Sequence, residues 1–172
     1  MEFKLLIKER FSVRSFEQKA VEDSLVLEIL KAGQAAPTAC NNQPQKILVI
    51  QGEEALNKLK ECTACHFNAP LAFLICYDEK EQWNRSFDSY ESGMTDAAIV
   101  TTHMMLRAAD LGLGSTWVAY FDPAKIRNNF ALPAHYVPTA LLPAGYPAAD
   151  AVPNSNHTDR KELSETVCYN KF

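Results

Sequence analysis

Nowhere in this sequence does an uninterrupted apolar run approach the roughly 18 residues that a membrane-spanning helix needs. Nor is there a block of like charge. Lysine and arginine total 17 against 21 aspartates and glutamates, a net charge of -4 over 172 residues. The chain as a whole therefore attracts neither nucleic acid nor an anionic lipid surface. The N-terminal apolar residues do not form a secretory h-region, because Lys4, Lys8, Glu9 and Arg10 interrupt them; the expectation is a cytoplasmic protein. A paired cysteine framework is missing too, since five cysteines are an odd number and suit a reducing compartment. Internal repeats and low-complexity tracts are absent. What is left is ordinary globular composition, 47% apolar and 22% charged, in a length that suits one domain spanning 1–172.

Against that background Arg10-Phe11-Ser12-Val13-Arg14-Ser15-Phe16 stands out. It follows a short amphipathic run (Phe3, Leu5, Leu6 and Ile7) and sets two guanidinium groups, four residues apart, around a serine hydroxyl. Planar, permanently charged forks beside a hydroxyl suit bidentate recognition of phosphate. The same letters also describe a solvated basic turn at a helix end. A second pattern, Cys62-Thr63-Ala64-Cys65-His66, matches thiol-redox, metal and haem-attachment spacings. One Cys-x-x-Cys supplies at most half of a tetrahedral zinc site, and ordinary thiols leading into a strand fit as well.

Hydrophobic periodicity places the elements. Val26, Ile29 and Leu30 give a helix capped by Asp23 or Ser24 and ending near residues 33–36. Pro37 and Pro44 bound an ordered loop of small and amide side chains. Continuous apolar centres predict buried strands over 46–51 and 70–77, with a short helix over 53–61 between them. Residues 78–90, carrying Trp83, Phe87 and Tyr90, form a long connection of the kind that becomes a lid or a partner contact. Met94, Ala97, Ala98, Thr101, Met104, Met105 and Ala108 recur at helical spacing over about 92–110, before Gly112 and Gly114. Residues 115–120 predict a third strand, Asp122-Pro123 a capped helix, and 137–142 a fourth strand. The tail from Pro153 is polar up to Arg160-Lys161 and then apolar-tinged.

Four segments in this order resemble the nitroreductase family of flavin-dependent oxidoreductases in its shorter form: residues 10–16, Ala36-Pro-Thr-Ala-Cys-Asn-Asn-Gln-Pro44, Ala109-Asp-Leu-Gly-Leu-Gly-Ser-Thr-Trp117, and Gly145-Tyr-Pro147 followed by His157-Thr-Asp-Arg-Lys161. The resemblance implies an α+β fold with a mostly antiparallel central sheet flanked by helices, in an intertwined homodimer with FMN at the subunit interface. It implies that Arg10, Ser12 and Arg14 hold the phosphate and ribityl chain, with Arg160 and Lys161 approaching from the C-terminal segment. Pro37, Thr38, Ala39 and Asn41 would come from the other subunit, and Trp117, Val118 and Ala119 would lie along the isoalloxazine. It further implies an enzyme that takes a hydride from NADH or NADPH and reduces nitroaromatics, quinones or similar planar acceptors by a ping-pong mechanism. No catalytic side chain and no metal is required, because the cofactor carries the chemistry. Two rivals are a thiol or metal module on Cys62, Cys65 and His66, and a flavin-storing or sensing homodimer with little turnover. Gln45 and Tyr120 depart from the family's usual aromatic and glycine.

Overall fold

The structure, a computed structural model, describes residues 2–172. In chain order its elements are α1 (Phe3–Glu9), α2 (Asp23–Gln34), β1 (Gln45–Gln51), α3 (Glu53–Cys62), β2 (Leu71–Asp78), α4 (Gly93–Asp110), β3 (Gly114–Ser115), α5 (Pro123–Asn129), β4 (Tyr136–Gly145) and α6 (Leu163–Thr166). The strands form one antiparallel sheet in the order β1-β2-β4-β3. This is the α+β architecture expected. No described helix is long and apolar enough to cross a membrane.

β2 explains the layering. Every one of its residues except Tyr77 is buried, and because side chains alternate along a strand it feeds two cores. Leu71, Phe73 and Ile75 pack with Val26, Ile29, Val100 and Met104 of α2 and α4. Ala72, Leu74 and Cys76 pack on the opposite face with Leu59 and Ile126 of α3 and α5. An unbroken apolar strand is what a sheet covered on both faces requires. β1 has the same composition but pairs only with β2, so it is an edge strand with Leu48 exposed and only Ile50 fully buried. In β4, Pro138 has no N–H to give the ladder, and the register slips opposite Ile75 and Cys76.

Besides the buried strand expected at β1, three expectations are adjusted. The N-cap position of α2 is Glu22, with no side-chain bond; Asp23 opens the first turn, where its charge favours the helix dipole. Met94 is exposed at the start of α4, beyond the reach of the sheet, while Ala97, Val100, Thr101, Met104 and Ala108 form the buried face. The third strand contracts to two residues plus an isolated bridge between Val118 and Leu141, because Asp122 N–H donates to Cys62 O at 2.8 Å and draws the chain toward α3. The Asp122 cap on α5 is present, its carboxylate accepting from the amides of Ala124 and Lys125.

Candidate functional site

After α1 the chain is extended and lies against β3 and the exit of β4. Val13 N–H donates to Ser115 O at 3.1 Å, Glu17 N–H to Tyr146 O at 2.9 Å, and Ala148 N–H to Ser15 O at 3.1 Å. Val13 is buried and leaves no room at Gly114, where an added Cβ would lie 2.6–2.8 Å from the valine side chain. Gly114→Ala should therefore push the 10–16 segment off the sheet edge. The expected cost is about 1–3 kcal/mol of stability, with cofactor affinity lost in parallel, as thermal melts with and without FMN would show.

This docking fixes Arg10 at a cleft of about 210 Å³ lined by Leu6, Phe11, Val13, Gly114 and Ser115 among others. A second cation arrives from the tail. The His157 ring meets Phe11 edge-on, with centroids 6.3 Å apart, and Arg160 donates to the carbonyls of His157 and Asp159 at 2.7 and 2.6 Å. Burial, and then the positive charge of Arg160, push the Arg10 pKa down from its ordinary value. Neither guanidinium has a carboxylate within 4.0 Å among the described residues; Glu9, the one acidic residue lining the cleft, pairs with neither. Two cations held together without a counter-charge form a site that lacks an anion. Arg14 is exposed and donates only to Ser12 O, at 3.4 Å, and Lys161 is exposed beside Arg160.

The loop read as a second contact lies elsewhere. Ala39 N–H donates to the buried carboxylate of Asp96 at 2.9 Å, in the first turn of α4, whereas Ala109 and Gly112, at the far end of that helix, line the Arg10 cleft. At 1.5 Å per residue the two sites are about 20 Å apart within one protomer. The loop is also strained: Cys40, Asn41 and Gln43 all have positive φ, at 51°, 56° and 54°. Side chains other than glycine take that conformation at a cost, and such costs cluster where ligands are held. Pro37, Asn41 and Asn42 are exposed, and Gln43 N–H donates to Thr38 Oγ1 at 3.0 Å.

The third group, Trp117 to Ala119, adjoins β4. Val118 exchanges both backbone bonds with Leu141, at 2.9 Å each. By the alternation of an extended chain, the amides of Trp117 and Ala119 face away from β4, and neither has a hydrogen-bond partner among the described residues. They are backbone donors ready for a ligand.

Cys62 shares a buried cluster with Val118, and Cys65 packs against it, but neither lines the Arg10 cleft. Cys62 is 3% exposed and its Sγ donates to Lys58 O at 3.2 Å; burial pushes its pKa up, away from the thiolate that redox and metal chemistry need. His66 Nδ1 accepts from Asn68 N–H at 3.0 Å. All five cysteines are free, and no three His, Cys, Asp or Glu side chains among the described residues are grouped to hold a metal. The residues that motif reading missed are Asp96 and Ser92, both buried. The available signal was an acidic side chain among the small residues of the inner face of α4.

Known proteins resemble this chain in sequence and fold. The sequence profile of the Nitroreductase family matches residues 7–72 and 66–146. A protein of Methanothermobacter thermautotrophicus, provisionally named an NADH dehydrogenase/NAD(P)H nitroreductase, is 31% identical over 83% of this chain and 75% of its own length. The crystal structure of a nitroreductase family protein from Clostridium difficile 630 superposes with a TM-score of 0.93, at 40% identity, over all of both chains. A nitroreductase of Desulfovibrio desulfuricans, also provisionally named, was solved in complex with FMN. It has a TM-score of 0.84 and 29% identity, over 100% of this chain and 98% of that one.

Proposed function

The chain belongs to the nitroreductase family, and from that premise we propose that residues 1–172 act as one FMN-binding unit of an NAD(P)H-dependent oxidoreductase whose working form is a homodimer. The observation that carries the proposal is Arg10 at the cleft with Arg160 tethered to His157, whose ring meets Phe11 beside it, and no carboxylate within 4.0 Å of either guanidinium among the described residues. A mononucleotide phosphate would supply the missing charge, with Ser12 and Arg14 following Arg10 in the chain and Lys161 following Arg160, although none of these three lines the cleft itself. Trp117 and Ala119 offer backbone N–H groups to the polar edge of the ring, and Val118, locked to Leu141, keeps them oriented.

The second copy follows from distance. Pro37, Thr38, Ala39 and Asn41 sit about 20 Å along α4 from the phosphate end, so a site built from both is completed most directly by a partner's loop. Apolar surface supports this reading. Phe3, Leu5 and Ile7 of α1 and Val152, Leu163, Val167, Tyr169 and Phe172 of the tail are all exposed in the protomer. Such surface on a folded chain marks an interface.

FMN, when bound, would supply the two-electron chemistry that links NADH or NADPH to a planar acceptor such as a nitroaromatic or quinone in a ping-pong sequence. The protein binds the phosphate, orients the ring and leaves one face open; no side chain acts as acid, base or nucleophile. The test is direct. Purified protein should be yellow with stoichiometric FMN, and NADH or NADPH should bleach it in a stopped-flow mixer, equally in the Cys62→Ser/Cys65→Ser variant because neither thiol lines the cleft. A colourless protein, or bleaching lost with the thiols, would refute the proposal; colour that neither nicotinamide bleaches would mark a flavin store.

A further inference from the structure

The long connection between β2 and α4 is a braced hairpin. Asn84 and Glu91 form an antiparallel bridge, and Arg85 N–H donates to Tyr90 O at 3.0 Å. The Arg85 guanidinium grips Asp88 through bonds of 2.9 and 2.7 Å and lies 4.6 Å from the Tyr90 ring centroid. Trp83 meets Tyr90 edge-on at 6.4 Å. At the tip Phe87 is 92% exposed. Ordering a segment costs conformational entropy, and holding a bare aromatic ring in water returns nothing to the protomer.

The base of the hairpin enters a buried relay. Ser92 N–H donates to Trp83 O at 2.9 Å and Trp83 N–H to Ser92 Oγ at 3.0 Å. Ser92 Oγ in turn donates to Asp96 Oδ2 at 2.7 Å, and Asp96 Oδ1 accepts from Ala39 N–H at 2.9 Å. Ser92 and Asp96 are each 2% exposed. A carboxylate so deeply buried is costly unless its oxygens are used. Here each oxygen serves a different element, one the hairpin and one the Pro37–Gln43 loop, and the α4 N-terminus favours the charge.

We infer that Asp96 is a positioning residue that locks the Trp83–Ser92 hairpin, with Phe87 as its offered ring, to the Thr38–Gln43 loop, so that acceptor and flavin contacts are set as one unit. This rests on the proposed function, which puts the loop on the flavin side; the exposed Phe87 is what the hairpin offers to an acceptor. Three substitutions separate the two arms. Ser92→Ala cuts the tie to the hairpin alone. Asp96→Ala cuts both. Asp96→Asn keeps an oxygen for Ala39 N–H while losing the charged acceptor for Ser92.

Loss of a charge-assisted bond should be read as follows. Ser92→Ala raises KM for a quinone acceptor roughly fivefold and leaves FMN affinity within about twofold of the parent. Asp96→Ala raises the same KM and weakens FMN about tenfold, whereas Asp96→Asn recovers FMN affinity to within about threefold but keeps the raised acceptor KM. Amide exchange on the flavin-free protein gives a readout independent of cofactor: Asp96→Ala accelerates exchange over 39–43 and 83–92 together, and Ser92→Ala over 83–92 alone. Asparagine behaving no better than alanine, an unchanged acceptor KM in Ser92→Ala, or exchange rising evenly along the chain would overturn the inference. Wild-type protein that takes up no FMN would instead remove the proposed function, and the exchange pattern would still decide whether Asp96 ties the two segments.

Discussion

Arg10→Ala should weaken FMN binding roughly ten- to hundredfold, the loss that follows from removing a charge-assisted bond of about 1.5–3 kcal/mol. It should do so without destabilising the flavin-free protein. The separation of these two effects comes from the sign of the pKa shift. Arg10 is a base whose pKa is lowered by burial and by Arg160; the flavin-free fold therefore disfavours its charge, and removing that charge relieves a repulsion instead of breaking a bond. Thermal melts should show an unchanged or higher Tm without FMN and a smaller rise on adding it, while fluorescence titration reads the affinity. Arg160→Ala should lose less, because that side chain is exposed and already engaged with two carbonyls, and its contribution should fall further with added salt. An Arg10→Ala protein that stays yellow through dilution would show that the phosphate lies elsewhere.

The second large effect concerns the shared site. A protein carrying Arg10→Glu and another carrying Ala39→Glu should each lose FMN, the first by repelling phosphate and the second by placing a carboxylate in the strained loop. Co-refolded in equal amounts, they should recover about a quarter of the wild-type FMN sites: half of randomly paired dimers are mixed, and one of the two sites in each mixed dimer combines the intact halves. A site contained within a single chain would recover nothing. Absorbance of the dialysed mixture against the two parents measures the outcome.

Motif and periodicity reached a large part of this molecule for identifiable reasons. β2 and α4 were readable because one is continuously apolar and the other carries its small and sulfur-containing side chains at helical spacing. Asp122-Pro123 was readable because capping chemistry is local. β1 was misjudged as buried since an edge strand and a central strand can share a composition, and only pairing tells them apart. Residues 115–120 look like a strand from their β-branched and aromatic content, yet a hydrogen bond to Cys62, in a different helix, redirects the chain after Val118. The Arg10 motif taken alone read more readily as a solvated turn, and only the tail, with His157 against Phe11 and Arg160 bonded to His157 O, brings a second cation near it.

The sequence by itself determined the order of most helices and strands and the separate segments bearing cation, hydroxyl and amide groups, because each depends on side chains within a few residues of one another; the antiparallel α+β class came from the resemblance of four motifs to a known family. Only the tertiary structure decided that the tail brings Arg160 near Arg10 with no carboxylate paired to either among the described residues, that the Pro37–Gln43 loop lies at the opposite end of α4, and that Asp96 holds that loop and a distant hairpin together. Those facts depend on electrostatics and hydrogen bonds between residues scores of positions apart, for which neighbouring residues in the chain carry no pattern.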